Sequence, residues 1–320
     1  MNRTHQPDEP AVRVESLTMK FDSFTAVDSV SFDVANGEIF GFLGPNGAGK
    51  STTIRMLCGI LKPTGGSGMV RGYSIAREQE NIKMITGYMS QKFSLYDDLT
   101  PVENLEFFSG VYGLRGGERR DRVEWALTTS DLLDRRGDLA GNLAAGLKQR
   151  LALSAAILHK PSILFLDEPT AGIDPLSRRN FWDLIYEMSS AGVTVFVTTH
   201  YMDEAEHCDR VAFINRGRLI DLDTPTNLKN AGVRGIVYEF AVSDWHRGFD
   251  LLRSRQDEFG EVSLFGTNIH LDFVGEDIQS VGSFLAREGI KTVSLRKISP
   301  SLEDAFVALL RPEDTEAVER

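Results

Sequence analysis

The residues Gly44-Pro45-Asn46-Gly47-Ala48-Gly49-Lys50-Ser51-Thr52 satisfy the spacing G-x-x-x-x-G-K-[ST], that of a phosphate-cradling loop. Each residue type has a job there. Gly44, Gly47 and Gly49 allow backbone turns that a Cβ would resist, so that successive N–H groups face one anion. Lys50 supplies a cation for β- and γ-phosphates, and the Ser51 hydroxyl is a ligand for Mg2+. An acidic pair, Asp167-Glu168, follows the apolar run Ile163-Leu164-Phe165-Leu166. A carboxylate ending a buried strand is costly without a cation or donors. A Mg2+ shared with Ser51 would partner Asp167, leaving Glu168 to polarise a water as general base.

These groups need elements to position them. Glu38–Leu43 reads as a buried strand entering the loop and Thr52–Cys58 as the helix leaving it, so phosphate would meet a helix N-terminus. Short apolar strands alternate with helical patterns from Val12 to about Leu228, the pattern of an α/β core. Residues 92–150 contain no convincing strand and read as a helical subdomain. Beyond Asn230-Ala231-Gly232 the pattern restarts. Ile236–Val242, a helix at His246–Asp257, a hairpin about Gly266-Thr267-Asn268, a helix at Asp277–Glu288 and a strand at Thr292–Arg296 make β-α-β-β-α-β, with a last helix at Ser301–Leu310. That is the order of a ferredoxin-like α+β domain. The expected division is a tail at 1–10, a nucleotide-binding domain at 11–230, an α+β regulatory or accessory domain at 233–310 and a tail at 311–320.

With 320 residues the chain can hold two cores. Its net charge of −11 argues against a general nucleic-acid binder. Two distant cysteines, Cys58 and Cys208, suit inert thiols in a reducing compartment. The polar start lacks a signal-peptide core and no apolar run approaches a bilayer's width. The expectation is a cytoplasmic protein whose membrane role, if any, runs through a partner. The acidic run Asp203–Arg210 reads as a helix start, its acids near the positive end of the dipole, in preference to a metal cluster.

Three more elements complete a set: Gln91 after the apolar stretch Ile85–Ser90, Asp174 after Pro169, and His200 closing Val193–Thr199. Over residues 12–228 the chain resembles the ATP-binding cassette (ABC) ATPases, with the phosphate loop (Walker A), Gln91, Asp167-Glu168 (Walker B), Asp174 and His200 in the family's order. The resemblance implies a P-loop NTPase core binding ATP and Mg2+. Gln91 would touch Mg2+ or the attacking water and report to a membrane subunit. His200 would contact the γ-phosphate, Asp174 would link two sites across a dimer, and Phe21 would stack on adenine, unless it is a core aromatic. Mg2+ would sit on Ser51, Gln91 and Asp167, and catalysis would fall to Glu168, His200 and Lys50.

The pattern breaks at the stretch that cassettes of this family offer to a partner's ATP, usually Leu-Ser-Gly-Gly-Gln. Here it reads Leu143-Ala144-Ala145-Gly146-Leu147. Ala144 removes a hydroxyl donor to a charged group, about 1.5–3 kcal/mol. Ala145 stands at the first glycine position, where its Cβ would crowd the approach of backbone to phosphate, although the helix N-terminus can still point at phosphate. Two readings stay open: a tolerated substitution, or an asymmetric pair of cassettes. Asp174–Arg179, Thr198–Glu206 and Ile298–Phe306 are similar to the ATPases of ABC-2 type exporters. That likeness implies an ABC-2 permease partner, a second cassette as homo- or heterodimer, a place on the cytoplasmic membrane face, and efflux driven by ATP hydrolysis. Phe93, Leu95, Tyr96, Leu99, Phe107, Phe108 and Tyr112 would offer a docking groove, though most suit a core. The alternatives are a non-transport ABC ATPase acting on ribosome or DNA, and a low-activity regulatory cassette.

Overall fold

The computed structural model describes residues 9–91, 95–231 and 235–316. The chain divides into two compact units, 1–219 and 220–320. The division falls inside the strand Arg218–Asp223.

The first unit carries two sheets. One is antiparallel, in the order Phe24–Val34, Val12–Phe21, Gly65–Val70, Tyr73–Ser74. The other has five parallel strands in the order Arg210–Asn215, Ile39–Leu43, Thr194–Thr199, Ile163–Asp167, Thr86–Met89. Ile39–Leu43, Ile163–Asp167 and Thr194–Thr199 are buried at every position. The apolar runs Ile163–Leu166 and Val195–Val197 within them are what a parallel strand covered on both faces requires. An aromatic cluster joins the sheets: the Phe32 ring lies 5.5 Å from Phe40 and 5.9 Å from Phe196.

Parallel pairing brings all the strand carboxyl ends to one edge, where α/β sheets bind ligands. Leu43 pairs with Thr199, Asp167 with Thr198 and Met89 with Leu166. The residues that follow these ends are the phosphate loop, His200, Glu168 and Gln91.

The helical stretch comprises Pro101–Val111, Gly116–Thr129 and Ala145–Ala156, with short 3-10 turns at Leu133–Arg135 and Ala140–Asn142. The first starts with a reciprocal capping box between Thr100 and Glu103, and Pro101 at its head, where a missing N–H costs nothing. Leu105, Val123, Leu127, Leu132, Leu143 and Leu151 form its core.

The second unit has an antiparallel sheet in the order Gly260–Phe265, Asn268–Phe273, Ile236–Val242, Thr292–Lys297. The helices Trp245–Arg253 and Gln279–Arg287 complete the β-α-β-β-α-β order. Leu252, Val281 and Leu285 from these helices pack on Phe240, Ile269 and Leu271. The final helix is Leu302–Glu316, one residue later at its start than the sequence suggests and longer. Its serine, Ser301, stands outside as the cap: Asp304 N–H donates to Ser301 Oγ at 3.1 Å.

Candidate functional site

The phosphate loop lies between Leu43 and a helix spanning Lys50–Leu57. That helix begins two residues before the expected Thr52, so Lys50, Ser51 and Thr52 form its first turn and share its positive end. Gly47 and Gly49 have φ of 82° and 103°, the left-handed region that favours glycine. Gly44 needs glycine for a different reason from the expected turn. Its φ is not positive, but a Cβ there would lie 2.1 Å from the Ile214 carbonyl oxygen. Gly49 combines both demands, since its Cβ would come within 2.5 Å of the Ala26 carbonyl oxygen. Ala48 is buried, and its carbonyl accepts from Gly217 N–H at 3.0 Å, while Asn46 at the loop's tip is exposed.

Around this loop the structure brings together residues far apart in sequence. Lys50 is 4% exposed; its Nζ donates to the Gly44 carbonyl at 2.7 Å and lies 3.1 Å from Glu168 Oε1. Ser51 Oγ donates to Asp167 Oδ1 at 2.9 Å. Gln91 Nε2 donates to Glu168 Oε2 at 3.0 Å. His200 Nδ1 lies 3.2 Å from the same Oε2, but off the line a hydrogen bond needs. Glu168 is therefore reached by a cation, an amide and an imidazole at once. Its backbone is strained, with φ of 49°. Its N–H donates to both the carbonyl and the hydroxyl of Thr198, each at 3.1 Å.

Thr198 is a site residue that sequence reasoning missed. Fully buried, it also donates to Asp167 Oδ1 at 2.7 Å. The signal available was a β-branched hydroxyl two residues before His200, but only the strand register puts it opposite Asp167. The charge of Asp167 is felt nearby. Burial first and then Asp167 push the Cys58 thiol up, and the same two causes, in the same order, push the Tyr88 phenol up to about 12. Both cysteines are buried, free thiols.

Other expected residues lie apart from this cluster or serve it indirectly. Phe21 is 44% exposed at the end of its hairpin, opposite Phe24, which excludes a core role. The same hairpin carries Ala26, whose carbonyl flanks Gly49. Asp174 caps the helix Pro175–Ser190, accepting from Ser177 Oγ at 2.6 Å and Ser177 N–H at 2.9 Å, and these bonds hold its carboxyl below the usual range. Gly146 faces this cap: a Cβ there would lie 2.3 Å from Ser177 Oγ. Ala144 is the N-cap of Ala145–Ala156 and supplies no side-chain bond. Of the docking aromatics, Phe93 lies outside the described residues. Leu95, Phe108 and Tyr112 pack on the helical core, while Tyr96 and Phe107 are exposed and meet edge to face at 4.8 Å.

The Ser51 hydroxyl and Asp167 carboxylate form a hard oxygen donor pair that suits Mg2+. The glycine cradle with Lys50 suits a polyphosphate. Among the described residues no helix is long and apolar enough to cross a membrane.

Comparison with known proteins agrees with this arrangement. Residues 27–171 match the family model described as ABC transporter. The chain is 51% identical over 223 residues to the probable multidrug ABC transporter ATP-binding protein YbhF of Escherichia coli; the match covers 70% of this chain but only 39% of YbhF. It is 34% identical over 303 residues to the linearmycin resistance ATP-binding protein LnrL of Bacillus subtilis, covering 93% of this chain and 97% of LnrL. Among solved structures, the ATP-binding cassette MJ0796, dimeric in a post-hydrolysis state with ADP and Pi, superposes with a TM-score of 0.61 at 26% identity, over 67% of this chain and 98% of that one. A phosphate loop, a Walker B acid pair and a closing histidine at one sheet edge thus occur in a chain that aligns with LnrL nearly end to end, and the chain belongs to the family of ABC transporter ATP-binding proteins.

Proposed function

We propose that this chain is the ATP-binding and ATP-hydrolysing subunit of a membrane exporter, working with integral-membrane permease subunits of ABC-2 type and a second cassette on the cytoplasmic face. The observation that carries the reading is Glu168, met by Lys50, Gln91 and His200 within 3.2 Å at the mouth of the phosphate loop. The relatives' names, multidrug transporter and linearmycin resistance, support efflux over a role on ribosomes or DNA. The dimeric cassette supports a paired arrangement.

In this reading the N–H groups of Asn46, Gly47 and Gly49 through Thr52 and the Lys50 ammonium hold the ATP phosphates, and Phe21 stacks on the base. Mg2+ on Ser51, Asp167 and Gln91 neutralises phosphate charge when bound. Glu168 orients and deprotonates the attacking water, and His200 holds the γ-phosphate in line. Thr198 keeps Asp167 and the backbone of Glu168 fixed, so no reorganisation is needed when charge develops. Ala144, Gly146 and Asp174 face the partner cassette. Because the γ-phosphate is gripped differently in closed and open pairs, its loss reopens them and moves the permease through the Gln91 region.

The test is turnover of Mg-ATP by the full chain and its Glu168→Gln variant, together with identification of every chain that co-purifies with it. Loss of turnover by about a hundredfold, and a membrane subunit in the complex, are expected. Turnover equal to the wild type in the variant removes Glu168 from its role. A ribosomal or DNA-repair partner in place of a permease overturns the transport reading.

A further inference from the structure

Glu204 lies in the acidic run that the sequence assigns to a helix start, and the helix Met202–Ala205 is there. Yet this acid is not at the surface. It is 1% exposed, and burial raises its carboxyl above the usual range, an effect that hydroxyl donors and Arg178 partly offset. A buried carboxylate persists only where partners meet its oxygens, and the partners here come from separate segments. Thr170 Oγ1 donates to Oε1, and Thr199 Oγ1 donates to Oε2 at 2.7 Å. The Nε of Arg178 stands 3.4 Å from Oε1.

Each partner belongs to a segment that carries a site residue. Thr170 follows Glu168 by two positions, in a turn closed by Ala171 N–H on the Glu168 carbonyl at 3.3 Å. Thr199 precedes His200, accepts from Tyr201 N–H at 2.9 Å through its hydroxyl, and receives Gly44 N–H on its carbonyl at 3.3 Å. Arg178 sits in the helix that Asp174 caps, and its guanidinium lies 4.7 Å over the ring of Tyr201, which in turn packs 4.1 Å from His200. One carboxylate thus ties the turn after Glu168, the strand end before His200 and the helix behind Asp174.

The geometry points to Glu204 as a positioning residue for ATP hydrolysis, fixing the relative placement of Glu168 and His200 without touching nucleotide. This rests on the reading of the site as an ATPase. Glu204→Gln keeps the shape but removes the charge and one acceptor. Thr170→Val and Thr199→Val each remove one donor at nearly constant volume. In the full chain, Glu204→Gln is expected to lower kcat for Mg-ATP by about tenfold or more, with nucleotide Kd changed less than about threefold. Thr170→Val is expected to lower kcat less, and the double variant no further than Glu204→Gln alone, because the two residues act through one bond. A folded Glu204→Gln protein with wild-type kcat overturns the inference, as does a rise in KM with kcat unchanged. If Glu204→Gln does not fold, the two valine variants carry the same test, and wild-type kcat in both overturns it. Absence of turnover in the wild type itself, unlike any of these results, marks failure of the ATPase reading.

Discussion

Ala144→Ser restores a hydroxyl at the head of the helix Ala145–Ala156. The backbone there is already that of an N-cap, with φ of −58° and ψ of 149°, and no side chain serves the orphan N–H groups. The Leu147 and Lys148 N–H groups already reach the Ala144 carbonyl, at 2.9 and 3.0 Å. The new hydroxyl therefore serves chiefly Gly146 N–H. Its worth falls in the lower half of the capping range, about 0.5–1 kcal/mol. For a unit of this size that is a rise in Tm of roughly 1–4 °C. Function has a larger stake. A hydroxyl donor to a charged group contributes about 1.5–3 kcal/mol, and if all of it appears in the transition state turnover rises roughly 10- to 150-fold. The assays are calorimetry of the full chain and Mg-ATP turnover of the assembled transporter. An unchanged Tm refutes the capping argument. A raised Tm with unchanged turnover refutes the idea that the missing serine weakens a partner's ATP site.

Two further predictions follow from the geometry. Thr198→Val deletes the hydroxyl shared by Asp167 and the Glu168 N–H; turnover falls and the Mg2+ concentration for half-maximal activity rises several-fold, whereas Thr198→Ser retains both, and equal Mg2+ curves for valine and wild type would end that assignment. In the second unit, His270 Nδ1 lies 3.0 Å from Asp304 Oδ1 and Nε2 lies 3.5 Å from Glu239 Oε2, with Arg296 on the far side of Glu239. Burial alone would lower His270, but hydrogen bonds and charge from Asp304 and Glu239 raise it above 6.5. Its contribution to stability is complete below that value and is lost as pH rises through the folded value. Burial would raise Asp304, but bonds from His270, Ser301 and Ser263 hold it at about 2 against an ordinary 3.8. Its contribution is present above 3.8 and disappears as pH falls toward about 2. Thermal melts against pH should show both limbs, and His270→Gln should flatten the alkaline one; an alkaline limb that survives the substitution belongs to another group.

The chemistry of the site was legible because it is written locally. Gly47, Gly49, Lys50 and Ser51 lie within one short motif, and Asp167-Glu168 closes an apolar run, so spacing alone locates them, whereas His200 was singled out through the family resemblance. The strand Ile236–Val242 was equally plain in its bounds, although its burial does not alternate strictly, Glu239 and Phe240 both being buried. What spacing does not carry is adjacency across the sheet. Ser51 meets Asp167 over a sequence separation of 116, and Thr198 meets the same carboxylate, because parallel register aligns Asp167 with Thr198. Gly44 is required by the Ile214 carbonyl on a neighbouring strand, not by its own turn. Glu204 looks like an exposed helix acid in sequence, and only the packing of three segments around it makes it a buried tie. The sequence by itself determined which groups are present and at which strand ends. The tertiary structure decided which of them share one carboxylate, because that depends on strand register and close packing, which no local pattern encodes.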